Sequence, residues 1–145
     1  MQIITNIQLK QISAKDSYIV RHRVLRKGLA QSSCAFDRDE DTTTIHLGAF
    51  ENNALVGVLS LLQNTADIQL IGMAVLESHQ GLGIGKTMIA KAEELVKELS
   101  VKKLWMNARL IAIPFYESCG YTKEGVSFEL PYGGMHNKMT KALWK

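Results

Sequence analysis

A glycine-rich turn between an apolar strand and an amphipathic helix constrains this sequence more than any other feature. The turn is the run Gln80-Gly81-Leu82-Gly83-Ile84-Gly85-Lys86, and the apolar residues 68–75 precede it. After the turn, apolar residues recur with the spacing of one helix face, at Ile84, Met88, Ile89, Ala92, Leu95, Val96 and Leu99. The sequence therefore predicts a strand, a tight turn and a helix in direct succession.

The three alternating glycines of this turn indicate an anion site. Glycine permits a tight backbone turn and leaves the N–H groups of residues 80–86 uncovered by side chains. Those N–H groups, together with the positive end of the helix that follows, suit a phosphate. The alternative is an ordinary strand-to-helix turn without a ligand, which the absence of polar side chains between the glycines makes less favoured.

Two common phosphate-binding motifs do not fit the turn. A nucleotide P-loop would need a glycine at Gln80, and the dinucleotide-binding fingerprint would need one at Lys86. The run Gly85-Lys86-Thr87 does match the end of a P-loop, so a nucleotide-phosphate binder of another class stays as a minor alternative.

Composition indicates one folded domain over residues 1–145. The chain has 145 residues, of which 46% are hydrophobic, and this suffices for one core. The net charge of +3, from 17 basic and 14 acidic residues, is too small to favour a nucleic-acid partner. We interpret the short basic clusters Arg21-His22-Arg23 and Lys102-Lys103 as solvated faces.

The cysteines, the histidines and the N-terminal residues favour a cytoplasmic protein without a metal site. Cys34 and Cys119 form no disulfide framework, and the four histidines lack the spacing of metal ligands. Residues 1–5 lack the basic region and apolar core of a signal peptide. No apolar run approaches the about 18 residues of a membrane span, so no membrane partner is expected.

The periodicities predict an α+β fold. Helices are expected from Ser13 or Asp16 to near Gly28, over residues 84–99 and over residues 111–118. Residues 31–44 are expected to form a long polar loop, with or without a short helix. Strands are expected over residues 3–9, 45–50, 55–61, 66–75, 104–108 and 135–143, with turns at 51–53, 123–125 and 131–134.

The strand before the glycine turn changes phase. Its apolar residues occupy one side up to Leu70 and the opposite side from Ile71 onward. A strand changes phase where one residue bulges out of the ladder, which predicts a β-bulge near residues 70–73. A strand that is buried on both faces would explain the pattern equally well without a bulge.

The motifs around the turn resemble those of the GNAT superfamily of acyl-CoA-dependent N-acyltransferases. Gln80, Gly83 and Gly85 fit the family pattern Gln/Arg-x-x-Gly-x-Gly, and Phe115-Tyr116 stands before Gly120-Tyr121 at the expected distance. The resemblance covers nearly the whole chain and is strongest over residues 71–121. It implies a mixed, mostly antiparallel central sheet flanked by helices, with the β-bulge in the strand before a pyrophosphate loop.

The resemblance extends to a small bacterial single-domain subgroup and implies acetyl-CoA as cosubstrate. The tail His136-Asn137-Lys138-Met139 and the run Arg23-Val24-Leu25-Arg26 are similar to segments of that subgroup. The coenzyme's pantetheine arm would pair with the strand near the turn, where one N–H would also donate to the thioester carbonyl. The implied coenzyme-binding residues are Met73, Ala74, Val75, Gln80, Gly81, Leu82, Gly83, Ile84, Gly85, Lys86, Asn107, Phe115 and Tyr116.

Tyr116 and His136 are the candidate catalytic residues that the resemblance implies. A protonated phenol at Tyr116 would donate to the departing CoA thiolate, although the same residue would also suit a buried core position. His136 is one candidate for the general base, with an unperturbed pKa of about 6.5. The other candidates are Asp39, Glu40, Asp41 and Glu77, acting directly or through water, and a neutral amine from solution would need none of them.

The implied reaction moves an acetyl group from acetyl-CoA to a primary amine by direct attack, so Cys119 needs no role as an acyl carrier. The acceptor, a small molecule or a protein amine, is not identified by the sequence, although the acidic residues of the 31–44 loop would suit a cationic amine. Whether the chain forms a homodimer also stays open. A module of the same fold that binds acyl-CoA without chemistry is the alternative.

Overall fold

The computed structural model describes residues 6–143, which form an α+β structure around one mixed sheet. The strands and helices of these residues, in chain order, are β1 (Ile7–Ile12), α1 (Ala14–Leu25), β2 (Ile45–Glu51), β3 (Ala54–Gln63), β4 (Ile68–Val75), α2 (Ile84–Glu98), β5 (Lys103–Arg109), α3 (Ile113–Ser118), β6 (Thr122–Leu130) and β7 (Gly134–Ala142). Single-turn 3₁₀ helices at Gln31–Cys34, Glu77–His79 and Leu110–Ala112 lie in the connections.

The sheet is mostly antiparallel and has the strand order β1-β2-β3-β4-β5-β7-β6. The exception is the central pair β4 and β5, which is parallel. These two strands pair only at Ile68 with Leu104 and at Gln69 with Trp105, and then diverge. The backbone edges that face each other beyond this point therefore lack a partner strand, and a cleft opens in the middle of the sheet.

The register between β3 and β4 shifts within the segment where the sequence alternation changes phase. Val58 pairs with Ala74, whereas Ser60 pairs with Ile71, so β4 holds one more residue than β3 over this interval. Gly72 lies inside it with a φ of 62°. A Cβ at Gly72 would lie 2.9 Å from the ring of Phe36. Glycine is therefore favoured here for two reasons, the positive φ and the lack of space for a side chain.

Helices cover the two faces of the sheet separately. On one face, Val20 of α1 packs against Val58 and Ala74. On the other face, the apolar side of α2 packs into the larger core, where Met88 is fully buried with Leu59. Because neighbouring residues of a strand point to opposite faces, Val58 and Leu59 serve different helices. We call these the α1 face and the α2 face.

Helix α1 begins where the sequence predicts and ends earlier. Ser13 and Asp16 form a reciprocal capping box, in which Ser13 Oγ accepts from the N–H of Asp16 at 3.1 Å. The helix ends at Leu25 with Arg26 as its C-cap residue, before the predicted end near Gly28. The first strand is also displaced, since it spans Ile7–Ile12, while residues 3–5 of the predicted strand lie outside the described residues.

Two sequence expectations for exposed segments are wrong. The predicted turn at residues 123–125 lies inside β6, where the register shifts between Glu124 and Phe128 and Gly125 takes a φ of 77°. The extra residues there bend the strand without ending it. Arg21, interpreted as part of a solvated cluster, is 0% exposed because α1 directs it toward the sheet.

A buried ion pair explains how Arg21 is accommodated. Its Nη1 donates to Asp39 Oδ2 at 2.7 Å and its Nη2 donates to Asp39 Oδ1 at 3.0 Å, a two-bond arrangement. The carbonyl of Cys34 and the hydroxyl of Ser60 accept further bonds from the same guanidinium. The polar 31–44 loop thus folds back over α1 and supplies the carboxylate that a buried guanidinium requires.

Candidate active site

A cavity of about 970 Å³ lies where β4 and β5 diverge. Its walls come from β4, the glycine turn, β5, α3, the end of α1 and the β6–β7 turn. The α2 face contributes Tyr116, which packs in the core of that face, and the α1 face contributes Leu25. The lining of the cavity therefore includes residues from both faces of the sheet.

The glycine turn presents unpaired backbone donors to this cavity. Gly81 and Gly83 have φ values of 78° and 86°, and α2 begins directly after Gly83 without a side-chain cap. The first bond that closes the helix runs from the Thr87 N–H to the Gly83 carbonyl. Within the described chain, the N–H groups of residues 81–86 therefore have no hydrogen-bond partner. Six consecutive free donors at a helix N-terminus fit a diphosphate.

The residues predicted to surround the diphosphate contribute in different ways. Gln80 Nε2 donates to the Val75 carbonyl at 2.9 Å, which ties the turn to the end of β4. A Cβ at Gly85 would lie 3.0 Å from the ring of Phe115, so this glycine lets α3 approach α2 closely. The side chain of Ile84 is buried in the core, and neither it nor Leu82 lines the cavity, so only their N–H groups are available there.

The remaining predicted coenzyme residues line the cavity from the two diverging strands and from α3. Met73, Ala74 and Val75 lie on β4 beyond its last pair with β5, where the strand edge is free. Asn107 on β5 is half-buried, and its side chain has no hydrogen-bond partner among residues 6–143. The free strand edge would suit the amide groups of an extended arm.

Tyr116 places a protonated phenol at the cavity. The residue is 7% exposed and packs edge-to-face against Phe115 and Tyr121, with ring centroids 5.2 and 6.1 Å away. Its hydroxyl has no hydrogen-bond partner in the described part of the chain. Burial, with a smaller contribution from Cys119, raises the pKa of Tyr116 above its ordinary value of 10.0. The phenol is therefore a proton donor throughout the physiological pH range.

His136 lies on the opposite side of the cavity from Tyr116. It pairs with Arg109 across β5 and β7, and by strand alternation both share the α1 face with Asn107. Its Nδ1 lies 2.7 Å from the Gly134 carbonyl, which can only accept, so Nδ1 carries the proton of the neutral ring. Nε2 is then left as an acceptor, which is the form that a general base needs.

The other candidates for the general base lie away from the cavity. Both oxygens of Asp39 bond to Arg21, and Asp41 pairs with Arg38 at 3.0 Å. Neither they nor Glu40 and Glu77 line the cavity. Asp39 and Asp41 pair with arginines of the chain itself, so they are not available to a cationic amine, and the expectation that the acidic 31–44 loop would receive one stays a prediction.

Two arginines that sequence reasoning did not assign also line the cavity. Arg26 caps α1, and Arg109 ends β5. Both guanidinium groups donate to one oxygen, the Leu25 carbonyl, at 3.2 and 3.3 Å. Neither pairs with a carboxylate within residues 6–143. No pattern in the sequence marks this pair, because the meeting of the two arginines depends on the fold.

Residues 6–143 contain neither a cluster of metal ligands nor a helix that could cross a membrane. No group of three or more histidine, cysteine, aspartate or glutamate residues is placed so that it could hold a metal ion. Among the same residues, no helix combines the length and the apolar character that a membrane crossing requires.

Comparison with known proteins gives consistent matches. Residues 9–121 match the model of the Acetyltransferase (GNAT) family. The uncharacterised N-acetyltransferase YitI of Bacillus subtilis (strain 168) is 33% identical over 144 residues, which cover 94% of this chain and 97% of that protein.

Solved structures share the fold at lower identity. A Lactobacillus plantarum protein assigned as an N-acetyltransferase superposes with a TM-score of 0.82 at 19% identity, covering 97% of this chain and 100% of that chain. An aminoglycoside 6'-N-acetyltransferase in complex with coenzyme A superposes with a TM-score of 0.79 at 14% identity, covering 95% of this chain and 98% of that chain.

Proposed function

The chain belongs to the GNAT acetyltransferase family, and we propose that it transfers the acetyl group of acetyl-CoA to a primary amine by direct attack, with Tyr116 as general acid. The observation that carries the proposal is one cavity that holds both the unpaired N–H groups of residues 81–86 and the phenol of Tyr116. The lining of this cavity thus combines donors that suit a diphosphate with a group that can donate a proton.

Acetyl-CoA would supply the thioester-bound acetyl group. The N–H groups of residues 81–86 would bind its diphosphate, and Gly81 and Gly83 hold the left-handed backbone that leaves these donors free. The free edge of β4 at Met73, Ala74 and Val75 would orient the arm and direct an N–H at the thioester carbonyl. Asn107 and the ring of Phe115 would complete the wall around the arm.

Tyr116 and His136 would handle the two protons of the reaction. His136 Nε2 would accept a proton from the attacking amine on the α1 face, because Nδ1–H is held by the Gly134 carbonyl. The Tyr116 hydroxyl would give its proton to the departing thiolate on the α2 face. Burial keeps the phenol protonated, so this donor is available without a change of pH.

The variant Tyr116→Phe tests the role of the phenol. We expect kcat to fall by roughly 10²–10⁴-fold, the usual contribution of a general acid, while calorimetry finds an unchanged Kd for CoA. Tyr121→Phe is the matched control, because its hydroxyl bonds to Glu93 at 2.9 Å and does not line the cavity. It should lower stability and leave kcat near that of the unmodified protein.

The proposal is contradicted if Tyr116→Phe turns over like the unmodified protein. A panel of primary amines with acetyl-CoA, read by thiol release, separates the enzyme from a module that only binds acyl-CoA. Calorimetric binding of CoA with no release for any amine would favour the binding module.

The raised pKa of Tyr116 also predicts the pH profile. Because the phenol stays protonated, kcat should show no loss from tyrosine ionisation between pH 7 and about 10, the ordinary tyrosine pKa. If the pH profile of kcat shows a titration with a midpoint below 10, we assign that titration to a group other than Tyr116. A fall in kcat between pH 7 and about 10 that disappears in Tyr116→Phe would contradict the raised pKa of Tyr116, since it would show that the phenol ionises in that range.

A further inference from the structure

We infer that the amine acceptor carries an anionic group, a carboxylate or a phosphate monoester, and that Arg26 and Arg109 bind it. The inference rests on the proposed function, since it names the class of acceptor that the same cavity would take. It does not follow from the family membership, because it rests on the position of two arginines of this chain at the wall of the cavity.

The two arginines converge from distant parts of the chain. Arg26 follows the last turn of α1, and Arg109 follows the buried part of β5. Their Nη1 and Nη2 atoms, respectively, donate to the single carbonyl oxygen of Leu25, so the guanidinium groups are close neighbours. Both are half-buried at the wall of the cavity.

Their charges are not balanced by the protein. No carboxylate of residues 6–143 pairs with either arginine, and the described lining of the cavity includes no aspartate or glutamate. Burial, and next the charge of Arg109, lowers the pKa of Arg26. Two like charges that are partly removed from water and close together are unfavourable unless an anion joins them.

Donors remain available for such an anion. Arg26 Nε donates to the Ser33 carbonyl and Nη1 to Leu25, which leaves Nη2 free. Arg109 uses only Nη2, which leaves Nε and Nη1 free. These nitrogens are not sealed in the interior, because the one fully buried side-chain nitrogen without a partner in the described residues is Arg21 Nε. Planar guanidinium groups suit carboxylate and phosphate oxygens particularly well.

Aromatic rings hold Arg26 in place before any ligand arrives. Its guanidinium carbon lies 4.1 Å from the ring centroid of Tyr132, in the β6–β7 turn, and 5.0 Å from that of Phe36. Because these two ring contacts already restrict the Arg26 side chain, binding an anion would cost little further side-chain entropy. The affinity for the anion would be higher for that reason.

The position of the arginines assigns them to the acceptor rather than to the coenzyme. Arg109 shares the α1 face with His136. The glycine turn, where the coenzyme diphosphate would bind, leads into α2, which packs on the other face. An anionic group bound by the arginines would leave the acceptor amine beside the proposed base, His136.

The experiment compares amines that differ only in the charge of their distal group. The panel contains β-alanine and 4-aminobutyrate, the carboxamide of each, O-phosphoethanolamine, and the diamine 1,3-diaminopropane, with acetyl-CoA and thiol release as the readout. We expect kcat/KM to be about tenfold higher or more for an anionic amine than for its carboxamide, mainly through KM. In Arg26→Gln and Arg109→Gln that ratio should fall toward one.

Arg23→Gln is the matched control. It removes the same charge from the same helix, but Arg23 is exposed and does not line the cavity, so the ratio should stay as in the unmodified protein. A binding arm does not need turnover: calorimetry with N-acetyl-β-alanine and its carboxamide, in the presence of CoA, should find the carboxylate tighter by about tenfold, and Arg26→Gln should remove the difference.

The outcomes separate this inference from the proposed function. Equal or higher kcat/KM for carboxamides or for the diamine would overturn the inference and support the acetyltransferase activity. Arginine-dependent binding of the N-acetyl carboxylate without turnover of any amine would support the inference and count against the activity. A loss of CoA affinity in Arg26→Gln, without a change in the acceptor ratio, would assign the arginines to the coenzyme and overturn the inference. Preference for the phosphate amine over the carboxylates would identify which anion is bound.

Discussion

Two arginines of α1 and its C-cap differ in whether the protein supplies a carboxylate to pair with them. Arg21, inside α1, is fully buried and makes a two-bond ion pair with Asp39. Arg26, at the end of the same helix, has no carboxylate partner among the described residues. Both guanidinium groups stack on the same ring, Phe36, at 3.9 and 5.0 Å from its centroid.

The difference separates a charge used for structure from a charge used for a ligand. The chain supplies a carboxylate to Arg21 from the 31–44 loop, because a sealed charge without a partner would be very costly. Beside the cavity it supplies none, although a second arginine is close to Arg26. The comparison therefore predicts that changes at the Arg21 pair affect stability and that changes at Arg26 affect acceptor binding.

The largest expected effect follows from removing the carboxylate. Asp39→Ala leaves Arg21 charged and buried without its partner, so the free energy of unfolding should fall by about 3–5 kcal/mol in a denaturant titration. Asp41→Ala is the control, since its pair with Arg38 is largely exposed and should change the free energy by no more than about 1 kcal/mol. Equal effects of the two variants would contradict the structural role.

A smaller difference in the free energy of unfolding is expected when both charges of the pair are replaced, and it tests the cost of an unpaired charge directly. Arg21→Met combined with Asp39→Leu removes the buried charges together, so the double variant should be more stable than Asp39→Ala by about 2 kcal/mol. The same denaturant titration measures this difference. A double variant as unstable as Asp39→Ala would mean that the lost bonds to Ser60 and Cys34, rather than the unpaired charge, set the cost.

At Arg26 the same kind of change should leave stability nearly untouched. Arg26→Gln removes a charge that has a like-charged neighbour and no carboxylate partner, and the Leu25 carbonyl keeps its bond from Arg109, so the free energy of unfolding should change by no more than about 1 kcal/mol. Thermal and denaturant unfolding measure this value. A loss as large as that of Asp39→Ala would show that Arg26 is structural and would remove the contrast.

The smallest expected effect comes from salt. Raising the ionic strength from 0.05 to 0.5 M shortens the screening length several-fold, which weakens interactions that water reaches much more than sealed ones. KM for an anionic amine should therefore rise by a few-fold, whereas the stability difference between Asp39→Ala and the unmodified protein should hardly change. Salt-insensitive KM values would argue against a solvent-accessible anion site.

Sequence patterns predicted the parts of this structure that depend on neighbouring residues. The capping box at Ser13, the glycine turn and the helix after it are local, because each rests on residues within one or two turns. The family resemblance and the mostly antiparallel sheet are confirmed by the family match and the solved structures. The single-domain organisation, the cytoplasmic location and the individual site residues stay predictions.

What the sequence could not predict depends on contacts between distant residues. Arg21 was predicted to be solvated because its partner, Asp39, lies in a polar loop whose sequence has no helix or strand periodicity. Arg26 and Arg109 meet only because β5 lies between β4 and β7 and the end of α1 reaches the same opening. The pattern and spacing of residues do not predict contacts between residues that are distant in sequence. The excess of positive charge at the cavity could therefore be recognised only from the folded structure.

The opening between β4 and β5 has a consequence for the order of events in the proposed reaction. Because its lining includes residues of both faces, the donor would bind on the α2 face and the acceptor on the α1 face, so the two substrates would not compete for one position. In the proposed reaction both substrates would then be held at once, without a covalent acetyl-enzyme between them. Initial rates measured at several fixed concentrations of either substrate should accordingly give intersecting double-reciprocal lines rather than parallel ones.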